Sequence, residues 1–233
     1  MNMIPKKIHY IWVGGKEKSK EVQKCINSWK KKFKDFEIIE WNENNFDINS
    51  NSYTKCAYKA KKWAFVSDYI RLHALCTMGG IYLDTDVIAV DNIDEMLNDR
   101  AFIGFENNNF ISAAIMGAEK EHPFIKQLMD YYDKIENKKD FVFDDNNSLL
   151  VTDILKNNYG LILNNKEQIL DEGIKVYEDG VLSNPSKNSK TIHIFTGTWL
   201  NEKASFKKKI CRFFKYRLTN KRRAELYSKI FSN

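Results

Sequence analysis

Hydrophobic residues follow two different periods along residues 1–135, and the two periods alternate. Runs rich in β-branched and aromatic residues predict buried strands at 8–13, 36–41, 81–83, 87–90, 101–105 and 111–117. Apolar residues at three- and four-residue steps predict helices at 17–31, 58–78 and 123–132. Strands that alternate with helices are typical of an α/β sandwich with a mainly parallel central sheet.

The segment 203–233 differs from the rest of the chain in charge. It holds 11 basic residues and one acidic residue, whereas the rest holds 26 basic and 30 acidic residues. Apolar side chains recur at helical spacing among these charges, at Phe206, Ile210, Phe213 and Phe214. We therefore predict a domain over 1–202 and a basic amphipathic helical tail over 203–233, which binds an anionic membrane surface.

Composition and hydropathy narrow the classes of protein that fit. With 43% hydrophobic and 29% charged residues, the chain of 233 residues is globular, which excludes disorder. The apolar run near the start is interrupted by His9 and is too short for a secretory signal, and no stretch approaches the ~20 apolar residues that span a bilayer. Four cysteines without metal-ligand spacing favour a reducing compartment. We predict a cytoplasmic protein, peripheral on the inner face of the membrane.

Asp84 and Asp86 are the first candidates for chemistry. They lie two residues apart, directly after an apolar strand and a glycine pair. On an extended backbone both carboxylates project to one side, about 6 to 7 Å apart. Such a pair can hold Mg²⁺ or Mn²⁺, which in turn neutralises a diphosphate. Solvated turn carboxylates are the alternative, but ligands collect at the carboxyl ends of buried strands in α/β sheets.

Asp68 and Arg71 are the second pair of candidates. They are three residues apart in a predicted helix and therefore share a face. An exposed ion pair is the alternative, worth little to stability. The surrounding segment WAFVSDYIRLHAL is mostly apolar, however, and buried charges there need partners such as a phosphate and a sugar hydroxyl.

Four segments carry a resemblance to a known family: IHYIWVGG, INSWK, WAFVSDYIR and GGIYLDTDV. In this order and spacing they resemble the DXD-containing retaining glycosyltransferases of the GT-A fold. That group includes bacterial capsular polysaccharide transferases, fungal initiating mannosyltransferases and the catalytic domain of the large clostridial glucosylating toxins. The resemblance covers about residues 4–125, with a weaker match at HIFTGTW, 193–199. It implies a GT-A type, Rossmann-like sandwich and metal-dependent transfer from a UDP-sugar with retention.

The resemblance also implies roles for individual residues. Those implied to be catalytic are Asp68, Arg71, Asp84 and Asp86. Asp86 would coordinate Mn²⁺ or Mg²⁺ directly, Asp84 would lie beside the metal through bound water, and His193 would complete the metal shell.

Contacts with the nucleotide-sugar are implied for a second set of residues. Trp12 would stack on the uracil, Tyr82 would pack against the ribose, and Trp199 would close over the donor. Asp68, Arg71 and Asp84 would contact the sugar or diphosphate. A place in the hydrophobic core is the alternative for Trp12, Tyr82 and His193.

Three functions follow from these patterns. The leading hypothesis is a UDP-sugar-dependent hexosyltransferase that acts on a glycan or lipid-linked oligosaccharide in surface, for example capsular, polysaccharide synthesis. The second is a non-enzymatic nucleic-acid-binding protein that uses the basic aromatic tail. It leaves the DTD and SDYIR segments unexplained, so nucleic acid is not an expected partner. The third is a toxin-like transferase that glycosylates a protein.

Overall fold

The computed structural model describes residues 4–135, 147–197 and 205–231. Its strands are β1 Lys7–Ile11, β2 Glu37–Trp41, β3 Gly80–Leu83, β4 Val87–Ala89, β5 Ala101–Phe105, β6 Ile111–Ala118, β7 Gln168–Ile169, β8 Ile174–Tyr177 and β9 Thr191–His193. Its helices are α1 Lys20–Lys32, α2 Ser52–Lys59, α3 Trp63–Met78, α4 Pro123–Ile135, α5 Asn147–Asn158, α6 Asp179–Leu182, α7 Phe206–Lys215 and α8 Lys221–Phe231.

The central sheet has seven strands in the order β2-β1-β3-β6-β5-β8-β7. β1 runs parallel to β2 and β3, and β5 runs parallel to β8. β6 is antiparallel to both of its neighbours. For β5 this follows from the short connection 106–110, because parallel neighbours need a crossover of a dozen residues or more. The predicted α/β architecture is confirmed, with a mixed sheet, and β4 and β9 form a separate antiparallel pair.

Apolar side chains fill both sides of the central sheet. One cluster joins α3, α4 and α5 to the sheet through residues such as Ile70, Phe124 and Leu155. The other joins α1, β4 and β9 to the sheet through residues such as Trp29 and Ile192. Helices on both faces of one sheet are the arrangement predicted from the alternating periods.

The predicted helix 58–78 is two helices, α2 and α3. Residues 59–62 are all exposed, so burial does not favour a continuous helix through this stretch. Lys61 adopts a left-handed conformation with φ of 56°, and the Lys62 N–H donates to the carbonyl of Ala57. The prediction of a single helix was therefore wrong at its amino end, whereas its carboxyl end at Gly79 is confirmed.

Gly79 and Gly80 join α3 to β3 in a turn that only glycine permits. Both have positive φ, 62° and 113°. A Cβ atom on Gly80 would lie 2.8 Å from the carbonyl oxygen of Lys7 and 2.9 Å from Nε2 of His9. The close approach brings β3 directly against β1, and this places the carboxyl end of β3 at the edge where the predicted ligand residues lie.

His9 is buried in β1 and connects three elements through its ring. The Trp41 indole N–H donates to Nδ1 at 3.1 Å, so Nδ1 accepts and Nε2 donates to the Gly79 carbonyl at 2.8 Å. Burial lowers the pKa of His9 below its ordinary value. The folded protein therefore holds this histidine neutral.

We expect the free energy of unfolding to fall as the pH drops below about 6.5, because unfolded His9 then takes up a proton that the folded protein excludes. Urea denaturation at about pH 7.5 and about pH 5.5 measures this loss. The variant His9→Gln does not titrate at this position and should lose part of it. His73 and His122, whose pKa values burial also lowers, contribute to the remainder, whereas Asp68 and His193, whose pKa values are raised, act in the opposite direction, so the difference between the variant and the wild type is the quantity that reports on His9. An identical pH dependence in the variant would contradict the assignment.

The two tail helices pack against the domain. Leu218 and Ala224 are only 6% and 0% exposed, and the Lys221 ammonium lies 2.8 Å from the Asp91 carboxylate. A boundary at 202 stays a prediction, but deleting the tail would expose apolar surface of the domain. Within the described residues, no helix combines the length and the apolar character needed to cross a bilayer.

Candidate functional site

Asp84 and Asp86 lie in the turn between β3 and β4. The Asp84 N–H donates to the Ala114 carbonyl at 2.8 Å, and the Val87 N–H donates to the Asp84 carbonyl at 3.0 Å. β4 then leaves the central sheet and pairs with β9, in a register that sets Val87 opposite His193. The chain thereby brings His193, more than a hundred residues later in the sequence, beside the two carboxylates.

These three side chains form a cluster suited to a metal ion. One ligand atom from each of Asp84, Asp86 and His193 lies within 4.8 Å of the others. Asp86 Oδ1 is 3.2 Å from His193 Nε2. A mixed set of carboxylates and an imidazole fits Mn²⁺ better than Mg²⁺, which prefers oxygen ligands in a strict octahedron.

The His193 ring contacts Asp86 through one edge and Phe195 through one face. Among the described residues its Nδ1 atom is buried without a hydrogen-bond partner. Nε2 faces Asp86, and the Phe195 ring lies with its centroid 4.0 Å from that of the imidazole. These contacts aim Nε2 at the carboxylates, which is the orientation that a metal ligand requires.

Charge distinguishes the two aspartates. Burial raises the pKa of Asp84, and the positive charge of Arg71 offsets this only in part. Burial also acts on Asp86, but the charge of His193 and hydrogen bonds from His193 and Thr196 lower its pKa below the ordinary value. Burial alone would lower the pKa of His193, yet the Asp86 carboxylate outweighs it and raises that pKa. Asp86 is therefore ionised at neutral pH and ready to bind a cation.

Asp68 and Arg71 form a buried ion pair rather than an exposed one. The guanidinium lies 2.8 Å from the Asp68 carboxylate and 3.6 Å from that of Asp84, and the two side chains of the pair are 10% and 5% exposed. Arg71 also donates to the Ala113 carbonyl at 2.7 Å. Burial raises the pKa of Asp68 to about 6 despite the opposing charge of Arg71.

Tyr82 lies beneath this cluster. Its hydroxyl donates to the Asp84 carboxylate, and the Arg71 guanidinium lies 4.4 Å from the centre of its ring. The residue is only 2% exposed, so in this structure it supports Asp84 and Arg71 from within the core. Its predicted contact with a ribose stays a prediction.

The two predicted tryptophan contacts are not tested by the geometry. Trp12 follows β1 and is partly buried, and its indole N–H donates to the Lys16 carbonyl at 2.6 Å. Stacking of Trp12 on a uracil stays a prediction. Trp199 lies outside the described residues, and its predicted closure over the donor also stays a prediction.

The structure adds two residues that sequence reasoning missed. Asn147, at the start of α5, donates to Asp68 at 2.7 Å. Thr196 donates to Asp86 Oδ2 through both its N–H and its hydroxyl, each at 2.8 Å. Thr196 does lie within the matched segment 193–199. The sequence could not show that it faces Asp86, because this depends on the left-handed backbone of Phe195.

Comparison of the sequence with known proteins supports the resemblance. The family described as glycosyltransferase sugar-binding region containing DXD motif matches residues 19–103. Subversion of eukaryotic traffic protein A of Legionella pneumophila is 27% identical over 159 residues, which are 54% of this chain and 24% of that protein. Inositol phosphoceramide mannosyltransferase 3 of Schizosaccharomyces pombe is 28% identical over 137 residues, 54% of this chain and 36% of that protein. The chain thus spans about a quarter to a third of these curated relatives.

The fold is also similar to solved structures of low sequence identity. The PaToxG glycosyltransferase superposes with a TM-score of 0.53 at 19% identity, over 66% of this chain and 68% of that one. The apo-form glycosyltransferase GlyE of Streptococcus pneumoniae superposes with a TM-score of 0.52 at 9% identity, over 97% of this chain and 64% of that one. The predicted resemblance to DXD-containing glycosyltransferases and the predicted fold are confirmed.

Proposed function

We propose that this chain, whose residues 19–103 match the DXD-containing sugar-binding region of the glycosyltransferase family, transfers a hexose from a UDP-sugar with the help of a divalent cation. One observation carries the proposal. The cluster of Asp84, Asp86 and His193 shares a carboxylate with the buried Asp68–Arg71 pair, since Arg71 lies 3.6 Å from Asp84. The candidate metal-binding side chains and a buried ion pair therefore lie together at one edge of the sheet. This is the edge at which α/β proteins bind small molecules.

Each residue of the candidate site has a separate role in the proposed reaction. Asp86 and His193, with Asp84 beside them, are the groups that would hold Mn²⁺. When bound, the metal supplies Lewis-acid stabilisation of the charge that develops on the diphosphate leaving group. Arg71 is fixed by Asp68 and by the Ala113 carbonyl, so its charge is preorganised for the sugar or diphosphate. Asp68 accepts hydrogen bonds from sugar hydroxyls.

The donor can be identified by hydrolysis. Many transferases slowly hydrolyse their donor when no acceptor is present, so we expect Mn²⁺-dependent release of the nucleotide from one sugar nucleotide in a panel of UDP- and GDP-sugars. The same panel without Mn²⁺ is the control. Absence of any metal-dependent hydrolysis, together with tight binding to single-stranded RNA, would favour the nucleic-acid alternative instead.

We propose that the acceptor is a glycan or lipid-linked oligosaccharide of surface polysaccharide synthesis. The name of the S. pombe relative, inositol phosphoceramide mannosyltransferase 3, indicates a lipid acceptor, which supports a lipid-linked acceptor here. Transfer to a protein, the third hypothesis, is tested by incubating the chain with labelled donor and either lipid extracts or a proteome. Labelled protein without labelled lipid would overturn the proposed acceptor.

We also propose that the tail holds the enzyme on the cytoplasmic face of an anionic membrane. Helices α7 and α8 expose six large apolar side chains among their basic residues, namely Ile210, Phe213, Phe214, Leu226, Ile230 and Phe231. The side chain of Phe206, which also belonged to the predicted apolar face, lies outside the description. Apolar insertion and attraction of the basic residues to lipid phosphates would act together.

Sedimentation with vesicles tests whether the tail binds an anionic membrane. We expect full-length protein to bind phosphatidylglycerol vesicles at low salt and to bind phosphatidylcholine vesicles weakly. Replacing Phe213 and Phe214 with serine should weaken binding at least tenfold, because each Phe contributes about 1.5 to 3 kcal/mol when fully buried. Ile169→Ser, which changes an exposed apolar residue of β7 (74% exposed), is the matched control. Equal binding to both kinds of vesicle would contradict the proposal.

A further inference from the structure

The segment 193–197, which supplies His193 and Thr196 to the site, has an unfavourable backbone. Phe195 and Gly197 both adopt left-handed conformations, with φ of 61° and 54°. For glycine this costs little, but for a residue with a bulky side chain it is disfavoured. Residues before Phe195 are held by strand pairing and by the bond from the Ile194 N–H to the Asp86 carbonyl at 3.0 Å. Phe195 itself must be held by something else.

Helix α7 of the basic tail provides that contact. The Arg212 guanidinium donates to the Phe195 carbonyl from Nε at 3.0 Å and from a terminal nitrogen at 2.7 Å. One turn later, the Lys215 ammonium donates to the His193 carbonyl at 3.0 Å and lies 4.7 Å from the centre of the Phe195 ring. Both side chains point into the protein and not toward a membrane.

The peptide group between Phe195 and Thr196 is therefore held at both ends. Its carbonyl oxygen accepts from Arg212, and its N–H donates to Asp86 Oδ2 at 2.8 Å. A peptide group is planar, so fixing the oxygen also fixes the direction of the N–H. The Thr196 hydroxyl gives the same Asp86 oxygen a second hydrogen bond. With Oδ2 occupied in this way, Oδ1 is the atom that faces His193.

We propose that Arg212 is a positioning residue for the metal site, which acts on Asp86 through the Phe195–Thr196 peptide group. The guanidinium donates two hydrogen bonds to the carbonyl of that group and so orients the Thr196 N–H toward Asp86 Oδ2. Asp86 Oδ1 is then left to face the cation. The inference rests on the proposed function, because it assumes that the cluster binds a divalent cation. It gives the basic tail a second role, because Arg212 of α7 would orient a metal ligand of the domain.

A merely structural tie between α7 and the domain would affect stability but not metal affinity. Partners that orient a metal ligand typically contribute 10- to 100-fold in metal affinity. We therefore expect Arg212→Ala, in the full chain with UDP present, to weaken Mn²⁺ binding at least tenfold. Titration of Mn²⁺ followed by electron paramagnetic resonance of the free ion measures this directly, without any turnover. Arg212→Lys keeps the charge but not the two-pronged contact, so its affinity should lie between those of the wild type and Arg212→Ala.

The matched control is Arg222→Ala, which removes the same charge from an exposed position on α8. It should bind Mn²⁺ as the wild type does, whereas equal weakening in both variants would overturn the proposal in favour of a general charge effect. Wild-type affinity in a folded Arg212→Ala protein would overturn this proposal alone. If circular dichroism shows that Arg212→Ala does not fold, Arg212→Lys decides, and wild-type affinity there overturns the proposal. Failure of the wild-type chain itself to bind Mn²⁺ would overturn the proposed function as well.

Discussion

Asp86→Asn is expected to abolish metal-dependent donor turnover, with a loss of about a thousandfold or more. Asp86 is the aspartate whose pKa lies below its ordinary value, and it is the one that two donors of Thr196 orient toward His193. An asparagine has a similar shape but carries no charge, so the cluster would lose its ionised ligand while the packing survives. UDP should then bind no more tightly with Mn²⁺ than without it.

Calorimetry of UDP binding, with and without Mn²⁺, separates this loss from a folding defect. Asp94→Asn removes a carboxylate from an exposed side chain, 54% accessible, and should leave both turnover and the effect of Mn²⁺ unchanged. An Asp86→Asn protein whose UDP affinity still rises with Mn²⁺, as in the wild type, would refute the role of Asp86 as a metal ligand.

Arg71→Lys and Asp68→Asn should each lower turnover by about a hundredfold or more. Arg71 binds Asp68 and the Ala113 carbonyl with different nitrogens of one planar group, and a lysine ammonium cannot reproduce that geometry. In Asp68→Asn the charged acceptor for sugar hydroxyls is lost. Steady-state hydrolysis of the donor measures both effects, and near-normal rates would show that the pair serves only the fold. Arg100→Lys, at an exposed ion pair with Glu119, is the matched control for the arginine.

Stability distinguishes the two variants of this pair. Because burial raises the pKa of Asp68 to about 6, above its unfolded value of about 3.9, the ionised form costs the folded protein free energy above that pH. The contribution of Asp68 to stability therefore falls as the pH rises from about 4 to about 6. Asp68→Asn should lack this fall. Arg71→Lys should be destabilised, since it weakens the partner of a buried charge.

Local patterns in the sequence were sufficient for strands β1 to β6, for helices α1 and α4, and for the pair of aspartates in the candidate cluster. Strand β3 and the turn at Gly79 and Gly80 could be predicted because Ile81 and Tyr82 are residue types that favour strands, whereas glycine readily adopts the positive φ that ends a helix. Asp84 and Asp86 could be proposed as neighbours because two residues on one extended segment have a fixed geometry. The break between α2 and α3 was missed because residues 59–62 contain no glycine or proline to mark it, and their exposure is known only from the tertiary structure.

The sequence by itself thus determined an α/β fold and a resemblance to DXD-containing glycosyltransferases, and it identified Asp68, Arg71, Asp84 and Asp86 as candidate site residues. Only the tertiary structure decided that Asp68 and Arg71 are buried, that Thr196 and Asn147 donate to Asp86 and Asp68, and that Arg212 contacts the Phe195 carbonyl. The physical reason is separation along the chain. The contacts of Thr196 and Arg212 join segments that meet only when β4 pairs with β9 and α7 packs over the turn that follows, and the contact of Asn147 joins α5 to α3. Helix α7, which the sequence presents only as a basic amphipathic helix, contacts the segment that carries His193 and Thr196.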